Sequence, residues 1–389
     1  MKVAMNAVSA KMGGALAYLR NFLATLRRTE TADEFVVFVQ SQWAGELRGL
    51  AGNIQIETSA SAEGGPGRRV LFDQWELRRF LKRWRADCLF STANFGVLWP
   101  PAPQVTNVRN PVYFSRDYYR HVADVEGRTA AWKVAARRRM VALSCASSEV
   151  VVTPTQAMRE MLLEWKAADP GKCVVINHGF DRESFLSMDK TDGALEAALE
   201  RRRGEAILFY PSLYGKHKNF DTLIEGLGEL ALRGTNARLF LTCTIEPEAD
   251  AYQRRTAGII ERHGLAERIT LHGPVPYGYM PRIYRAADVV VWPSFAESFG
   301  HPLLEAMACE RPIVAAGIAS NREMARDAAL YFDTFNAEDF ADKVEEALDE
   351  STAKRLVASG ARRVGDFSWR RHVGEFLAVF RKLAEGKNG

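Results

Sequence analysis

The runs Ala287-Asp-Val-Val-Val-Trp-Pro-Ser294, Glu297-Ser-Phe-Gly-His-Pro-Leu-Leu-Glu305 and Arg311-Pro-Ile-Val-Ala-Ala316 decide how this chain folds. The first is a short continuous apolar run ending at Pro293, the pattern of a strand buried on both faces. The second leads into a helix predicted from Leu303 to Cys309, and the third starts the next buried strand. Strand, loop, helix and strand in this order make a parallel unit. Its loop leaves the carboxyl end of the first strand, where open α/β sheets take their ligands. Glu297 and Glu305 flank a Phe-Gly turn with seven residues between them, so the segment can hold a polar ligand at two points.

The alternation continues outward in both directions. Val3 to Val8, Phe35 to Val39, Cys88 to Phe90, Val105 to Val108 and Val150 to Thr153 read as strands, with helical periodicity over Ala15 to Arg28 and Thr155 to Trp165. A second series begins at Ala206 to Tyr210 and runs through Arg238 to Thr242, Ile269 to Leu271, Val289 to Trp292 and Ile313 to Ala315. Its predicted helices are Phe220 to Leu232, Ala249 to His263, Met280 to Arg285 and Leu303 to Cys309. The fold class is therefore α/β with two doubly wound domains. Asn177-His-Gly-Phe-Asp181 reads as a turn and Asp189 to Arg203 as a polar connection, which places the division near 185/186.

A chain of 389 residues is long enough for two such cores, and 47% hydrophobic with 26% charged residues excludes disordered and fibrous classes. The net charge of +4 comes without a basic module interleaved with aromatics, so no nucleic-acid partner is expected. Cys88, Cys145, Cys173, Cys243 and Cys309 are widely spaced and lie mostly in apolar runs, as reduced core residues do. Asn6 interrupts the first apolar run, and no run approaches the roughly 20 residues that span a bilayer. A cytoplasmic location is the expectation.

Two further loops carry chemistry. Ser9-Ala-Lys-Met-Gly-Gly14 follows the first strand and precedes a helix; Gly13 and Gly14 would let the backbone approach a phosphate or sugar, or simply make a tight turn. It lacks the Gly-x-Gly-x-x-Gly spacing of a dinucleotide site. Tyr210-Pro-Ser-Leu-Tyr-Gly-Lys-His-Lys-Asn-Phe-Asp221 follows the first strand of the second series. There Lys216 and Lys218 can reach a diphosphate, and Asn219 can cap the next helix. A solvated basic loop is the plain alternative. The chain has no Asp-x-Asp, and its seven histidines lack zinc-ligand spacing, so no metal is expected.

Together these residues resemble retaining glycosyltransferases of the GT-B superfamily, family 4. The resemblance rests on His272-Gly-Pro-Val-Pro, Met280-Pro-Arg-Ile-Tyr-Arg-Ala-Ala-Asp288, Trp292-Pro-Ser, the Glu297 to Glu305 run, Glu305-Ala-Met-Ala, Arg322-Glu323 and Ala328-Ala-Leu-Tyr-Phe-Asp333, in the family's order. It implies two Rossmann-like domains facing across a cleft, with residues 1–185 on the acceptor side, completed by a terminal helix over 368–389, and 186–367 binding the donor. It further implies transfer from a nucleotide-diphosphate-sugar to a glycan or lipid-linked acceptor, in cell-surface glycan assembly and without a cofactor. A catalytically silent nucleotide-sugar-binding subunit and a sugar-nucleotide epimerase are the alternative functions.

The resemblance assigns Glu305 to the ribose hydroxyls of the donor, Glu297 to the vicinity of the transferred sugar and Lys218 to the diphosphate. The loop at Ser298, Phe299, Gly300 and His301 would contact sugar hydroxyls and diphosphate, and Gly13 and Gly14 would face the donor and acceptor. Two positions depart from the pattern. Ser212 stands where many relatives have Arg, with Lys216 as a candidate substitute, and Asn107-Val-Arg-Asn-Pro stands where many have His. Arg109 and Asn110 are candidates for contact there, or structural residues.

Arg68 to Arg85 mixes Leu71, Phe72, Trp75, Leu77, Phe80, Leu81 and Trp84 with Arg78, Arg79, Lys82, Arg83 and Arg85. It fits an amphipathic helix with its apolar face in the core, or one resting peripherally on the inner face of an anionic membrane.

Overall fold

The structure is a computed structural model and describes residues 1–11, 13–29, 31–51 and 54–386. The chain divides into two compact units. The first holds Met1–Phe114, Val134–Gly179 and Ser368–Gly389, and the second holds Ser115–Lys133 and Phe180–Phe367. The segment 115–133 thus sits with the second unit although it precedes the polar connection, and the passage between units falls at 179/180.

In the first unit, strands β1 (Lys2–Asn6), β2 (Glu34–Val39), β3 (Gln55–Thr58), β4 (Cys88–Ser91), β5 (Gln104–Asn107), β6 (Val150–Thr153) and β7 (Cys173–Val175) form one sheet. Its order is β3-β2-β1-β4-β5-β6-β7, with every pairing parallel. One face, with Val3, Met5, Phe90 and Val152, packs on helix Gly13–Arg28 and on the last helix, Trp369–Gly386. Phe376 reaches the centre of that layer, its ring 4.7 Å from that of Phe90. The opposite face, with Ala4, Val36 and Leu89, is covered by Phe72, Leu77 and Leu81.

The second unit repeats the plan with β8 (Ala206–Tyr210), β9 (Ala237–Leu241), β10 (Ile269–Leu271), β11 (Val289–Trp292), β12 (Ile313–Ala316) and β13 (Leu330–Phe332), ordered β10-β9-β8-β11-β12-β13 and again all parallel. Every residue of β9, β11 and β12 is buried, as a sheet with helices on both faces requires. Strand order reverses between β1 and β4 and again between β8 and β11, and each reversal opens a crevice at the strands' carboxyl ends.

The segment expected as one helix over Arg68 to Arg85 is interrupted. Helical turns Pro66–Leu71 and Leu77–Trp84 flank a π-helical turn, Phe72–Glu76. The wider turn sets Phe72 and Leu77, five residues apart, into the same core layer, which an unbroken 3.6-residue repeat would not do. All five cysteines are buried. Among the described residues no helix is long and apolar enough to cross a membrane.

Candidate active site

Two loops leave the second sheet at its point of reversal. One follows β8 and contains the short 3-10 turn Lys216–Lys218; the other follows β11 and enters helix His301–Ala308, which begins two residues before the sequence places it. They are stitched together by hydrogen bonds. The Phe295 N–H donates to the His217 carbonyl at 3.0 Å. At the end of β8, the buried Tyr210 hydroxyl donates to the Lys218 carbonyl at 3.0 Å and lies 3.1 Å from Ser294 Oγ.

Asn219 stands at the start of helix Phe220–Leu232, but its side chain does not cap it. Its backbone is left-handed, with φ 55°, whereas a capping side chain needs an extended backbone to reach the first helical N–H groups. Nδ2 instead donates to the carbonyls of Pro293 at 3.1 Å and Thr334 at 2.7 Å, so one amide ties three loops.

Within this frame Lys218 Nζ lies 2.7 Å from Glu297 Oε1 and 4.7 Å from the centre of the Trp292 ring. The Glu297 side chain is only 13% exposed. Burial alone would raise its pKa, but the Lys218 ammonium and a hydrogen bond from Ser294 hold the carboxyl below its usual value. Burial, reinforced by the Lys218 charge, pushes His217 down to about 4, so His217 is neutral at pH 7 and Lys218 provides the compensating charge. The pair is a carboxylate and an ammonium whose side chains are both mostly buried.

Gly300 begins the adjoining helix with φ 75°, and no side chain caps that end. Glycine is needed twice over: the left-handed φ disfavours a Cβ, and a Cβ would lie 3.2 Å from Leu303 Cδ1. The bare helix start favours an anion. Phe299 is buried with its ring 4.9 Å from that of His301, while Ser298 and His301 are half-buried.

Further along the helix Glu305 is 5% exposed, and its two oxygens accept hydroxyls from Tyr277 and Tyr284, each at 2.7 Å. Burial raises its pKa and the two hydroxyls oppose that rise. The carboxylate therefore already accepts a pair of hydroxyls, the pattern a ribose diol would present. Of the two partners Tyr284 is fully buried and Tyr277 is exposed.

The remaining candidates have other partners. Lys216 pairs with Glu126 and lies 5.2 Å from the centre of the Tyr252 ring. Ser212 donates Oγ to the Leu213 carbonyl at 2.8 Å. In the first unit, Gly13 opens its helix with φ 59°, and a Cβ on Gly13 or Gly14 would meet no other protein atom within 4 Å, so both glycines border open space. Met12, in the same loop, lies outside the described residues. The Arg109 guanidinium lies 4.7 Å from the Tyr18 ring centre, and Asn94 Oδ1 accepts from the N–H groups of Arg109 at 3.0 Å and Asn110 at 2.9 Å. Asn110 Oδ1 accepts from the Val112 N–H at 3.2 Å, which engages it in the turn Pro111–Tyr113. Among the described residues no group of three or more His, Cys, Asp or Glu side chains is placed to hold a metal ion.

Sequence reasoning missed Tyr277, Tyr284 and the structural use of Tyr210. Tyr284 sits in the apolar periodicity of Met280–Ala286, where an aromatic reads as core, and Tyr277 lies in a short turn with no periodic signal. The nearest hint was Glu305 itself, a carboxylate on a mostly apolar helix that requires donors once buried.

Two doubly wound sheets, with this loop pair on the second, define a GT-B architecture. Residues 12–184 match the model for Glycosyltransferase Family 4, and residues 193–363 match the model for Glycosyl transferases group 1. The chain belongs to this glycosyltransferase family. It is 28% identical over 247 residues to a D-inositol 3-phosphate glycosyltransferase of Segniliparus rotundus, covering 62% of this chain and 54% of that protein. It is 30% identical over 254 residues to one from Geodermatophilus obscurus, with the same two shares. The chain thus spans about half the length of the curated relatives it matches. In fold it resembles sucrose-phosphate synthase of Thermosynechococcus elongatus, with a TM-score of 0.75 at 17% identity over 99% of this chain and 100% of that one. Anabaena HepE, solved with UDP and glucose, gives 0.69 at 17% identity over 97% and 100%.

Proposed function

We propose that the chain is a retaining glycosyltransferase that moves a sugar from a nucleoside-diphosphate-sugar to a glycan or lipid-linked acceptor. The observation that carries this reading is the Lys218–Glu297 pair, 2.7 Å apart beside the uncapped start of the helix that bears Glu305. Glu305 would take the ribose hydroxyls, with Tyr284 retained as its buried partner and Tyr277 turning aside. The diphosphate would sit at the helix start near Lys218, and Glu297 would lie beside the sugar. The solved complex of HepE makes UDP the first nucleotide to test. Of the remaining candidates, the Ser298, Phe299 and His301 segment fits the sugar and diphosphate contacts, Lys216 and Ser212 would border the diphosphate, and Gly13 and Gly14 would lie on the acceptor side.

The bond from the anomeric carbon to the β-phosphate oxygen breaks as the acceptor oxygen bonds to the same face. Nucleoside diphosphate leaves with the electron pair and takes the acceptor proton. The protein then has to orient the partners and stabilise the charge developing on the leaving group. Lys218 and the helix start supply that positive field in this reading, with no metal in the step. A single well-placed donor in such a site is worth about 2.7–4 kcal/mol.

The test is transfer measured in EDTA with Glu297→Ala beside the wild type. Transfer should be abolished in the variant while nucleotide affinity stays within about threefold. Unchanged turnover would remove Glu297 from the reaction.

A further inference from the structure

We propose that Trp292 is the positioning residue for the Lys218 ammonium: its ring holds that charge in place for the leaving diphosphate without neutralising it. The proposal rests on the donor placement given above and goes beyond it by naming what fixes the cation. Trp292 closes β11, just before the loop that carries Glu297, and is 2% exposed. Burial there needs only an apolar side chain, as Val289, Val290 and Val291 supply along the rest of the strand. Tryptophan brings a liability instead. Its Nε1–H is buried with no hydrogen-bond partner among the described residues, and an unmet buried donor costs stability. The nitrogen lies beside the start of the next helix, 3.7 Å from where a Cβ on Gly300 would stand. Hydrogen bonding therefore does not account for the indole, and what it contributes comes from the ring.

The ring has two neighbours that meet at Lys218. Lys218 Nζ lies 4.7 Å from its centre, and the Tyr210 ring packs against it at 5.5 Å with 79° between the planes. The Tyr210 hydroxyl donates to the Lys218 carbonyl at 3.0 Å. Two aromatic residues at the ends of neighbouring strands, β8 and β11, thus grip one lysine, Tyr210 by its backbone and Trp292 by its ammonium. An aromatic face attracts a cation most strongly where both are out of water, and the Lys218 side chain is only 18% exposed.

The choice of a ring over a second acid follows from charge. An ammonium has three donors, and Glu297 takes one of them at 2.7 Å while offsetting the lysine's charge. A carboxylate in place of Trp292 would also fix the ammonium, but it would leave the loop pair net negative and repel a diphosphate. An aromatic face restrains the ammonium through its quadrupole, adds no net charge, and leaves a donor for a phosphate oxygen. Lys218 is then oriented before the ligand arrives, which is the condition for a fixed charge to act on a leaving group.

The experiment is calorimetric titration of UDP, GDP, ADP and dTDP, each beside its monophosphate, into the full chain with Trp292 replaced in turn by mono-, di- and trifluorotryptophan. Fluorine keeps the shape of the indole and drains its negative face, so packing is held constant while the attraction for the ammonium falls. The diphosphate that binds the wild type should lose affinity stepwise along the series, about tenfold in all. Its monophosphate, which lacks the group that Lys218 meets, should bind as before. Trp292→Leu should lose about as much as the trifluoro protein, and Trp292→Phe should recover most of that loss, because a ring remains and the missing N–H had no partner. Lys218→Ala should lose on the order of 100-fold, and fluorination should change nothing further in that background. Diphosphate affinity that Lys218→Ala lowers and the fluorinated series leaves level overturns the proposal alone, and so does an equal loss for the monophosphate, which would make Trp292 a core side chain only. Diphosphate affinity untouched by Lys218→Ala, or no binding by any diphosphate, overturns the donor placement and this proposal together.

Discussion

Each unit opens a helix on a left-handed glycine near a point of strand reversal, Gly13 with φ 59° and Gly300 with φ 75°, yet the two starts are built differently. The Gly300 loop is crossed by a charged pair, a backbone bond to the neighbouring loop and the Asn219 amide bridge. Among the described residues the connection to Gly13 carries Ala10 N–H to the Ala7 carbonyl at 2.9 Å and Lys11 N–H to the Ser9 carbonyl at 3.0 Å, with Gln40 Nε2 donating to the Val8 carbonyl at 2.7 Å and Trp43 Nε1 to the Lys11 carbonyl at 2.9 Å. The same backbone device therefore stands beside a buried charged pair in one unit and, among the described residues, beside neutral hydrogen bonds in the other. Preorganised charge is what a leaving diphosphate needs, while a loop with open space at its glycines suits a bulkier and more varied ligand.

The sharpest way to break this comparison is to remove charge from the second loop. Lys218→Ala should lower the rate of transfer by about 10²–10³-fold. Changing Lys11 to Ala in the first loop should alter it by less than tenfold. Steady-state kinetics on both variants check the contrast, and equal losses would mean that the two starts share the electrostatic work.

A second contrast lies within the Glu305 cluster. Tyr284→Phe leaves a fully buried carboxylate oxygen without its donor and should cost about 1–3 kcal/mol of unfolding free energy. Tyr277→Phe, at an exposed ring, should cost less and should leave nucleotide binding equal or tighter, because a ribose hydroxyl no longer has to displace the phenol. Denaturant titration and nucleotide calorimetry separate the two variants. Weaker nucleotide binding in Tyr277→Phe would make that hydroxyl part of the ligand site.

The glycines give a smaller effect. Gly300→Ala meets Leu303 as well as the unfavourable φ and should lose about 1–2 kcal/mol of stability. Gly13→Ala has open space around it and should lose nearer 1 kcal/mol. Thermal melts of the two variants rank them.

Near pH 7 the smallest effect is that of titration, which emerges only as pH falls. His217 has a folded value of about 4, below its ordinary 6.5, so the fold favours the neutral ring. Its contribution is complete above about pH 6.5 and is lost as pH falls through the folded value. His217→Gln should flatten stability against pH between these limits, and an unaltered slope would place the titration elsewhere.

Much of this was legible in the sequence because parallel strands buried on both faces leave continuous apolar runs, as at Ala206–Tyr210, Val289–Trp292 and Ile313–Ala316. The strands that escaped were Gln55–Thr58, Cys173–Val175 and Leu330–Phe332, which are short and stand at sheet edges, where ladder pairing rather than composition makes the strand. The π-helical turn at Phe72–Glu76 left no local signal, since it answers to where Phe72 and Leu77 must pack. Glu297, Glu305 and Lys218 were visible as charge beside turns, and the structure brings Lys218 and Glu297 into contact. The tyrosines on Glu305 were hidden because they lie 28 and 21 residues away and look like core.

The most direct measurement is calorimetric titration of UDP, GDP, ADP, dTDP and CMP into the wild type and into Glu305→Gln, which keeps the side chain's shape. The expected result is one nucleotide that binds the wild type, adds about 2.7 kcal/mol of stability at 100 times its dissociation constant, and loses most of its affinity in the variant. Binding untouched by Glu305→Gln, or no binding by any of the five, would contradict the placement of the donor site.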